Sequence, residues 1–166
     1  MNNFDSTVSL ILSENWRSMA AAGLIGAASL AGGNTARADN TAITQPVKAS
    51  VNMDTLLNAL EIVESNGKKN AIGDNGKAKG ILQIWDVVVQ DVNRVYKTTY
   101  VHDDAFDPVK ARDIAKKYLT FWGKRYNVNT GEEPTYEVLA RIWNGGPKGY
   151  RKDATIKYWN KVKSYL

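Results

Sequence analysis

Residues 54–67 read DTLLNALEIVESNG, and this stretch decides the fold of the domain. Its apolar residues recur with the spacing of an amphipathic helix: Leu56, Leu57, Leu60, Ile62 and Val63. Asn66-Gly67 is typical of a helix end, because both residues tolerate the left-handed backbone that stops a helix. The stretch therefore predicts a helix whose last turn carries Glu64.

Beyond this helix, the pattern predicts one glycine-rich loop and four further helices. Residues 67–80 contain four glycines and two asparagines, which favours a loop or a small hairpin. Asp107-Pro108 is a helix start, with an N-cap followed by proline at the first helical position. The further helices are expected over residues 81–97, from 108 to about 126, from 135 to about 144, and over 153–165. The predicted fold class is mostly α, a helical bundle with a small β element.

Composition excludes several classes of site. The chain has 166 residues, no cysteine and one histidine, so neither a disulfide framework nor a multi-histidine metal site can form. Residues 1–50 carry no net charge, so the whole net charge of +5 lies in residues 51–166. A basic domain suggests a polyanionic partner, either nucleic acid or bacterial cell wall. No nucleic-acid-binding motif accompanies the charge, and we expect no nucleic-acid partner.

The first fifty residues differ from the rest. An apolar run over residues 19–31 is too short for an ordinary membrane span, and residues 36–38 (ARA) fit a signal-peptidase site. Asp5 and Glu14 precede the run, where a secretory signal is usually positively charged. Residues 1–50 are therefore either a cleaved signal or a retained anchoring segment, followed by a linker. Residues 51–166 form the predicted catalytic domain, with membrane contact only through the first segment.

Glu64 is the first candidate for chemistry. It follows an apolar stripe near a helix end, where partial burial disfavours the charged carboxylate and raises its pKa. A proton donor at neutral pH needs such a raised pKa. A solvated surface glutamate is the ordinary alternative, so Glu64 alone does not establish a site.

Three motifs in order strengthen this candidate. Glu64-Ser65 is followed by residues 80–84 (GILQI) and then by residues 142–147 (IWNGGP). This order and spacing resemble the lytic transglycosylases with a goose-lysozyme-like catalytic domain, whose pattern is Glu-Ser, Gly-Leu-Met-Gln-Ile and Ala-Tyr-Asn-Gly-Gly-Pro. Residues 158–165 (YWNKVKSY) stand where the family typically closes with a tyrosine-rich helix. The resemblance covers residues 54–166 and implies an α+β lysozyme-like fold with a cleft beside the glycine-rich loop.

The resemblance also implies roles for individual residues. Glu64 matches the acid that protonates the glycosidic oxygen between N-acetylmuramic acid (MurNAc) and N-acetylglucosamine (GlcNAc). The same carboxylate then removes a proton from the muramic acid 6-hydroxyl, which closes a 1,6-anhydro ring without consuming water. The expected substrate-binding residues are Ser65, Asp74, Gln83, Trp143, Asn144 and Gly145. No cofactor or metal is expected.

Two positions depart from the family pattern. Trp143 stands where a tyrosine is usual, so this position offers an N–H donor and a large sugar-stacking face instead of a hydroxyl. Gly73 stands where many relatives carry a serine, and Asp74 follows it. Asp74 is either a turn residue chosen for backbone geometry or a second carboxylate that would support hydrolysis.

Three functions remain open at this point. The first is a peptidoglycan lytic transglycosylase acting on glycan strands, and the second is a hydrolytic muramidase that uses Glu64 and Asp74. The third is a non-catalytic wall-binding or virion structural protein, against which the retention of Glu64 argues. We expect a monomer that acts in the periplasm or outside the cell. A bacteriophage origin would make it virion-associated or active in the host periplasm.

Overall fold

The computed structural model describes residues 50–166, which form five α-helices and a small antiparallel sheet. The helices are α1 (Met53–Ser65), α2 (Asp86–Tyr96), α3 (Pro108–Thr130), α4 (Tyr136–Gly145) and α5 (Ile156–Lys163). The strands are β1 (Ile72–Gly73), β2 (Ala78–Lys79) and β3 (Ile84–Trp85), and β2 pairs with both others. This architecture confirms the predicted mostly α, lysozyme-like fold class.

The N-terminal segment predicted for residues 1–50, with its candidate cleavage site, lies outside the described residues except for the last position. Its two interpretations stay open. Among residues 50–166, no helix combines the length and the apolar character needed to cross a membrane.

Helix α1 lies at the centre of the domain, and its ends are well defined. The side chain of Asn52 caps its start by accepting hydrogen bonds from the backbone of Asp54 and Thr55 at 3.0 and 3.1 Å. Asn66 ends it in the left-handed conformation, with φ of 54°. One face buries Leu56, Leu57, Ala59 and Leu60. The helix therefore holds its last turn, with Glu64, in a fixed position.

The predicted apolar stripe of α1 was wrong at one position. Ile62 is 39% exposed, whereas Leu60 is fully buried. Residues i and i+2 of an α-helix point about 200° apart around its axis. Ile62, two residues after Leu60, therefore leaves the face on which Leu60 is buried. Across the buried face, the core is completed by α3, α4 and α5 through Ile114, Leu119, Ile142 and Val162.

The second helix begins at Asp86, and the predicted start at Ile81 was wrong. Gln83 has φ of 49°, a left-handed conformation that a helix interior does not accommodate. Ile84 and Trp85 pair instead with Lys79 and Ala78 as β3. The segment 80–85 is therefore a turn and a strand that complete the sheet.

Two further helix boundaries differ from the predictions. Helix α3 continues to Thr130, about one turn past the predicted end near residue 126, and stops where Gly131 adopts φ of 75°. The last helix begins at Ile156 after a short 3-10 turn over Asp153–Thr155, and it ends at Lys163. Helix α4 covers most of its predicted range.

Candidate active site

Glu64 lies in the last turn of α1 and receives two hydrogen bonds at the same carboxylate oxygen. The hydroxyl of Tyr158, on α5, donates to Oε1 at 2.6 Å. The indole Nε1 of Trp143, on α4, donates to Oε1 at 3.1 Å. Three helices that are distant in sequence therefore meet at one half-buried carboxyl group.

Burial and these donors act on the pKa of Glu64 in opposite directions. Desolvation by burial raises this pKa and is the largest effect, and the negative charge of Asp74 raises it further. The hydrogen bonds from Tyr158 and Trp143 lower it. The pKa of Glu64 is raised overall, which favours the protonated form that a general acid requires.

Tyr158 stays a neutral donor to Glu64. Burial, together with the charge and hydrogen bond of Glu64, raises the pKa of its phenol far above the ordinary value. Tyr158 is not among the site residues expected from the sequence. A signal was available, because Tyr158 lies four residues before Val162, which is fully buried, and so shares the inward face of α5.

Ser65 holds a neighbouring turn and makes no hydrogen bond to the Glu64 side chain. Its hydroxyl donates to the carbonyl of Ile81 at 2.7 Å, and the carbonyl of Glu61 lies at 3.3 Å. Ser65, which was expected among the substrate-binding residues, is thus bonded to the backbone of Ile81. The contact joins the end of α1 to the turn that carries Gln83, so Ser65 positions the hairpin relative to Glu64.

Gln83, which was expected to bind substrate, supports the hairpin from within. Its amide nitrogen donates to the carbonyls of Gly80 at 2.8 Å and Ala71 at 3.2 Å. Its amide oxygen fills the space that a β-carbon on Gly73 would occupy. A serine at position 73 would therefore require the Gln83 side chain to move from the position it has here.

Asp74 lies at the exposed tip of the hairpin. Asp74 and Asn75 have φ of 47° and 55°, so both occupy the left-handed region that turn-forming aspartate and asparagine tolerate. Within residues 50–166, the Asp74 carboxylate takes part in no ion pair. The backbone geometry favours the turn interpretation, and the negative charge of Asp74 makes the smallest contribution to the raised pKa of Glu64.

The end of α4 carries three predicted substrate-binding residues, and they differ in position. Trp143 is half-buried, with its ring packed edge to face on Tyr118 at a centroid distance of 6.0 Å. Asn144 is exposed beside it. Gly145 serves packing, because a β-carbon there would lie 2.6 Å from Cγ2 of Thr155. Trp143 and Asn144 are therefore better placed than Gly145 to meet a substrate.

The lysines around the hairpin differ in their contacts and exposure. Lys79 is paired with Asp103 at 2.7 Å. Lys77 lies 5.9 Å from the ring centroid of Trp85, which is 41% exposed. Lys68 and Lys69 are exposed in the preceding loop. Among the described residues, no group of histidine, aspartate or glutamate side chains is arranged to hold a metal ion.

Residues 41–165 match the family model described as the transglycosylase SLT domain. The chain belongs to this family. The match includes all five α-helices and the carboxyl group of Glu64 with both of its donors. Membership in the transglycosylase SLT domain family agrees with the lysozyme-like, mostly helical fold.

Curated relatives are similar over shorter stretches. A lysozyme of Magallana gigas is 49% identical over 58 residues, which cover 35% of this chain and 39% of the relative. A lysozyme of Ostrea edulis is 36% identical over 52 residues, which cover 31% of this chain and 38% of the relative. The invertebrate-type lysozyme 6 of Caenorhabditis elegans is 56% identical over 27 residues, which cover 16% of this chain and 20% of the relative. The chain thus spans less than two fifths of the length of these relatives.

Proposed function

We propose that this transglycosylase SLT domain is a lytic transglycosylase that cleaves the β-1,4 bond between MurNAc and GlcNAc in peptidoglycan, forming 1,6-anhydro-MurNAc. The observation that carries the proposal is the difference in surroundings between the two candidate carboxylates. Glu64 is half-buried and receives two hydrogen bonds, whereas Asp74 is exposed at a hairpin tip. A single well-held carboxyl group suits a reaction in which the substrate supplies its own nucleophile.

The first step uses Glu64 as a general acid. Its raised pKa keeps the proton available, and transfer of that proton to the glycosidic oxygen allows the bond to the muramic acid anomeric carbon to break. Glu64 then carries a negative charge. Tyr158 and Trp143 already donate to Oε1, so this developing charge meets donors that need no rearrangement.

The second step uses the same carboxylate as a base. Glu64 accepts the proton of the muramic acid 6-hydroxyl, and the 6-oxygen forms a bond to the anomeric carbon. The proton that Glu64 gave to the leaving sugar is thereby replaced, and no water is consumed. Trp143 takes the place of the usual tyrosine as a donor, while Tyr158 supplies a hydroxyl from another helix.

A hydrolytic muramidase is the second candidate, and one observation favours it. The negative charge of Asp74 contributes to the raised pKa of Glu64. In that reaction Asp74 would stabilise an oxocarbenium ion or position a water. Similarity to the mollusc lysozymes supports this alternative over about a third of the chain.

Digestion of purified peptidoglycan separates the two reactions. Mass spectrometry of the released muropeptides is expected to find anhydro ends, each lighter by one water molecule than the hydrolytic product. Reducing ends without anhydro ends would establish the muramidase instead. We further propose that the protein is a monomer and that it acts in the periplasm or outside the cell, where peptidoglycan lies. Size-exclusion chromatography tests the oligomeric state, and fractionation of the producing cells tests the location.

A further inference from the structure

The two hydrogen-bond donors of Glu64 lie on consecutive helices, Trp143 near the end of α4 and Tyr158 in the first turn of α5. Residues 146–155 connect these helices through two short 3-10 turns. Helix α5 has only eight residues, which is too short to be stable by itself. The position of the Tyr158 hydroxyl therefore depends on the contacts that fix the start of α5 to α4.

Thr155 immediately precedes α5 and is the most buried polar residue within residues 50–166, at 2% exposure. Its hydroxyl accepts a hydrogen bond from Nε of Arg141, on α4, at 3.0 Å. Its one hydroxyl proton has two carbonyl acceptors, Gly149 at 2.8 Å and Lys152 at 2.7 Å. This single buried hydroxyl therefore joins α4, the connecting segment and the start of α5.

Arg141 makes the same link from the other side. It lies two residues before Trp143, and its side chain is 13% exposed. Besides its bond to Thr155, the guanidinium donates to the carbonyl of Lys152 at 3.2 Å and to the carboxylate of Glu137 at 2.8 Å. Glu137 belongs to α4 itself, so it holds the guanidinium against its own helix while the other two bonds reach the segment before α5. A planar guanidinium with several fixed donors suits such a link.

The connecting segment is packed closely against α4. A β-carbon on Gly149 would lie 1.9 Å from the carbonyl oxygen of Arg141, and one on Gly145 would lie 2.6 Å from Cγ2 of Thr155. At the end of α4, Nζ of Lys152 donates to the carbonyl of Gly145 at 2.7 Å. Because this junction leaves little free space, a change in the bond between Arg141 and Thr155 is transmitted to α5.

The hydrogen bond from Tyr158 to Glu64 tolerates little displacement. Its oxygen–oxygen distance is 2.6 Å, and a shift of α5 by about 1 Å would bring it to the limit of a hydrogen bond. Within the described part of the chain, neither Arg141 nor Thr155 bonds to Glu64. Their effect on the acid therefore passes through the residues that do.

We propose that Arg141 and Thr155 are positioning residues of the active site, which hold Tyr158 within hydrogen-bonding distance of Glu64. The inference rests on the proposed function, in which Glu64 is the acid that gives up its proton. With the donor fixed before substrate binds, the carboxylate formed in the first step meets a hydrogen bond that needs no rearrangement. The pair thus acts on the rate of the chemical step and not on the binding of the glycan.

The test uses the full chain with Thr155→Val, which removes the hydroxyl and keeps the shape of the side chain. We expect kcat for wall cleavage to fall about tenfold with KM unchanged. The alkaline limb of the pH–rate profile should move to higher pH, because the bond from Tyr158 lowers the pKa of Glu64. The charge of Asp74, which also acts on this pKa, is left in place.

Two further variants show whether the effect passes through Tyr158. Thr155→Ser keeps the hydroxyl and should restore both the rate and the pH profile. In a Tyr158→Phe background, Thr155→Val should change neither of them further, because the hydrogen bond that it would loosen is already absent.

Thr98→Val is the matched control, because it also removes a threonine hydroxyl that bonds within the domain, to Asn93 at 2.8 Å. Its kcat, KM and pH profile should equal those of the wild type. Urea unfolding shows whether each variant is folded under the assay conditions. Should Thr155→Val be unfolded, Arg141→Lys has the same expected results, since it keeps the positive charge beside Glu137 and lacks the Nε donor to Thr155.

A measurement without substrate separates this proposal from the proposed function. Carbon-13 NMR of the Glu64 carboxyl group across pH gives its pKa, which should be higher in Thr155→Val and Tyr158→Phe than in the wild type and Thr98→Val. An unchanged or lower pKa in folded Thr155→Val, additive losses in the double variant, or an equal loss in the control would overturn the proposal. A wild-type protein that cleaves no peptidoglycan would contradict the proposed function, while the NMR comparison would still decide the positioning role.

Discussion

The Tyr158 hydroxyl donates a 2.6 Å hydrogen bond to Oε1 of Glu64 across 94 positions of sequence. This contact closes α5 onto the end of α1. It places a neutral donor against the one carboxyl group whose charge must change during the proposed reaction. Trp143 provides the second donor from α4 at 3.1 Å, so Glu64 is held from two sides.

Removing the tyrosine donor tests this arrangement. In Tyr158→Phe, we expect the maximal rate of wall cleavage to fall about tenfold, because the carboxylate left after proton transfer loses a charge-assisted hydrogen bond. The same bond lowers the pKa of Glu64, so the alkaline limb of the pH–rate profile should move to higher pH. A turbidity assay across pH measures both, and an unmoved limb would contradict the assigned contact.

Removing the negative charge of Asp74 should move the pH–rate profile in the opposite direction from Tyr158→Phe. Asp74 raises the pKa of Glu64, so in Asp74→Asn the alkaline limb should shift to lower pH. We expect the rate at the optimum to fall by less than about tenfold, since Asp74 takes no direct part in ring closure. A loss of about 100-fold or more, the size expected for a missing catalytic group, would favour the muramidase.

Replacing Glu64 with glutamine should raise the stability of the protein while it removes the activity. Folding raises the pKa of Glu64, so the folded state binds an extra proton between the unfolded value, about 4.3, and the higher folded value. The stability that the neutral Glu64 side chain allows is fully present below the pKa of the unfolded state. It is lost as the pH rises through the pKa of the folded state. Glu64→Gln should therefore raise the melting temperature at pH 7, with a gap that narrows toward pH 4.

The control for this measurement is Glu133→Gln, at an exposed carboxylate that is replaced by the same amide. Its melting temperature should follow the wild type at both pH values. A Glu64→Gln protein that is less stable than the wild type at pH 7 would contradict the burial argument.

The pairing of Gly73 with Gln83 is testable by a double-mutant cycle. In Gly73→Ser, the new β-carbon would displace the Gln83 amide from the Ala71 and Gly80 carbonyls, at an expected cost of about 1–3 kcal/mol in the free energy of unfolding. Adding Gln83→Ala should recover part of that cost, because the colliding oxygen is gone. Strictly additive effects in urea unfolding would show that the two side chains do not compete.

Local pattern was enough to predict most of the helical fold. The spacing of leucines in α1, the Asp107-Pro108 start of α3 and the stop at Asn66-Gly67 are all encoded within one or two helical turns. The start of α2 was missed because residues 81–85 are apolar enough for a helix. Their turn depends on the left-handed backbone of Gln83 and on pairing with β2, neither of which periodicity reveals.

The sequence motifs named some of the residues whose side chains meet at Glu64. Glu64 and Trp143 could be named from motif order, since each motif brings its residue to a helix end. Tyr158 was not among them, and the hydrogen bonds that Gln83 and Ser65 make to the hairpin were not foreseen. Such roles depend on contacts between distant segments, and a single sequence does not state which side chains meet.

The most direct measurement is the mass of the muropeptides released by wild type and Glu64→Gln from the same peptidoglycan, before and after borohydride reduction. We expect wild-type products that are one water lighter than hydrolytic products and unchanged by reduction. We expect the variant to release at least about 100-fold less material. Reducible ends that carry the added water, or a Glu64→Gln protein that cleaves as well as the wild type, would contradict the proposed mechanism.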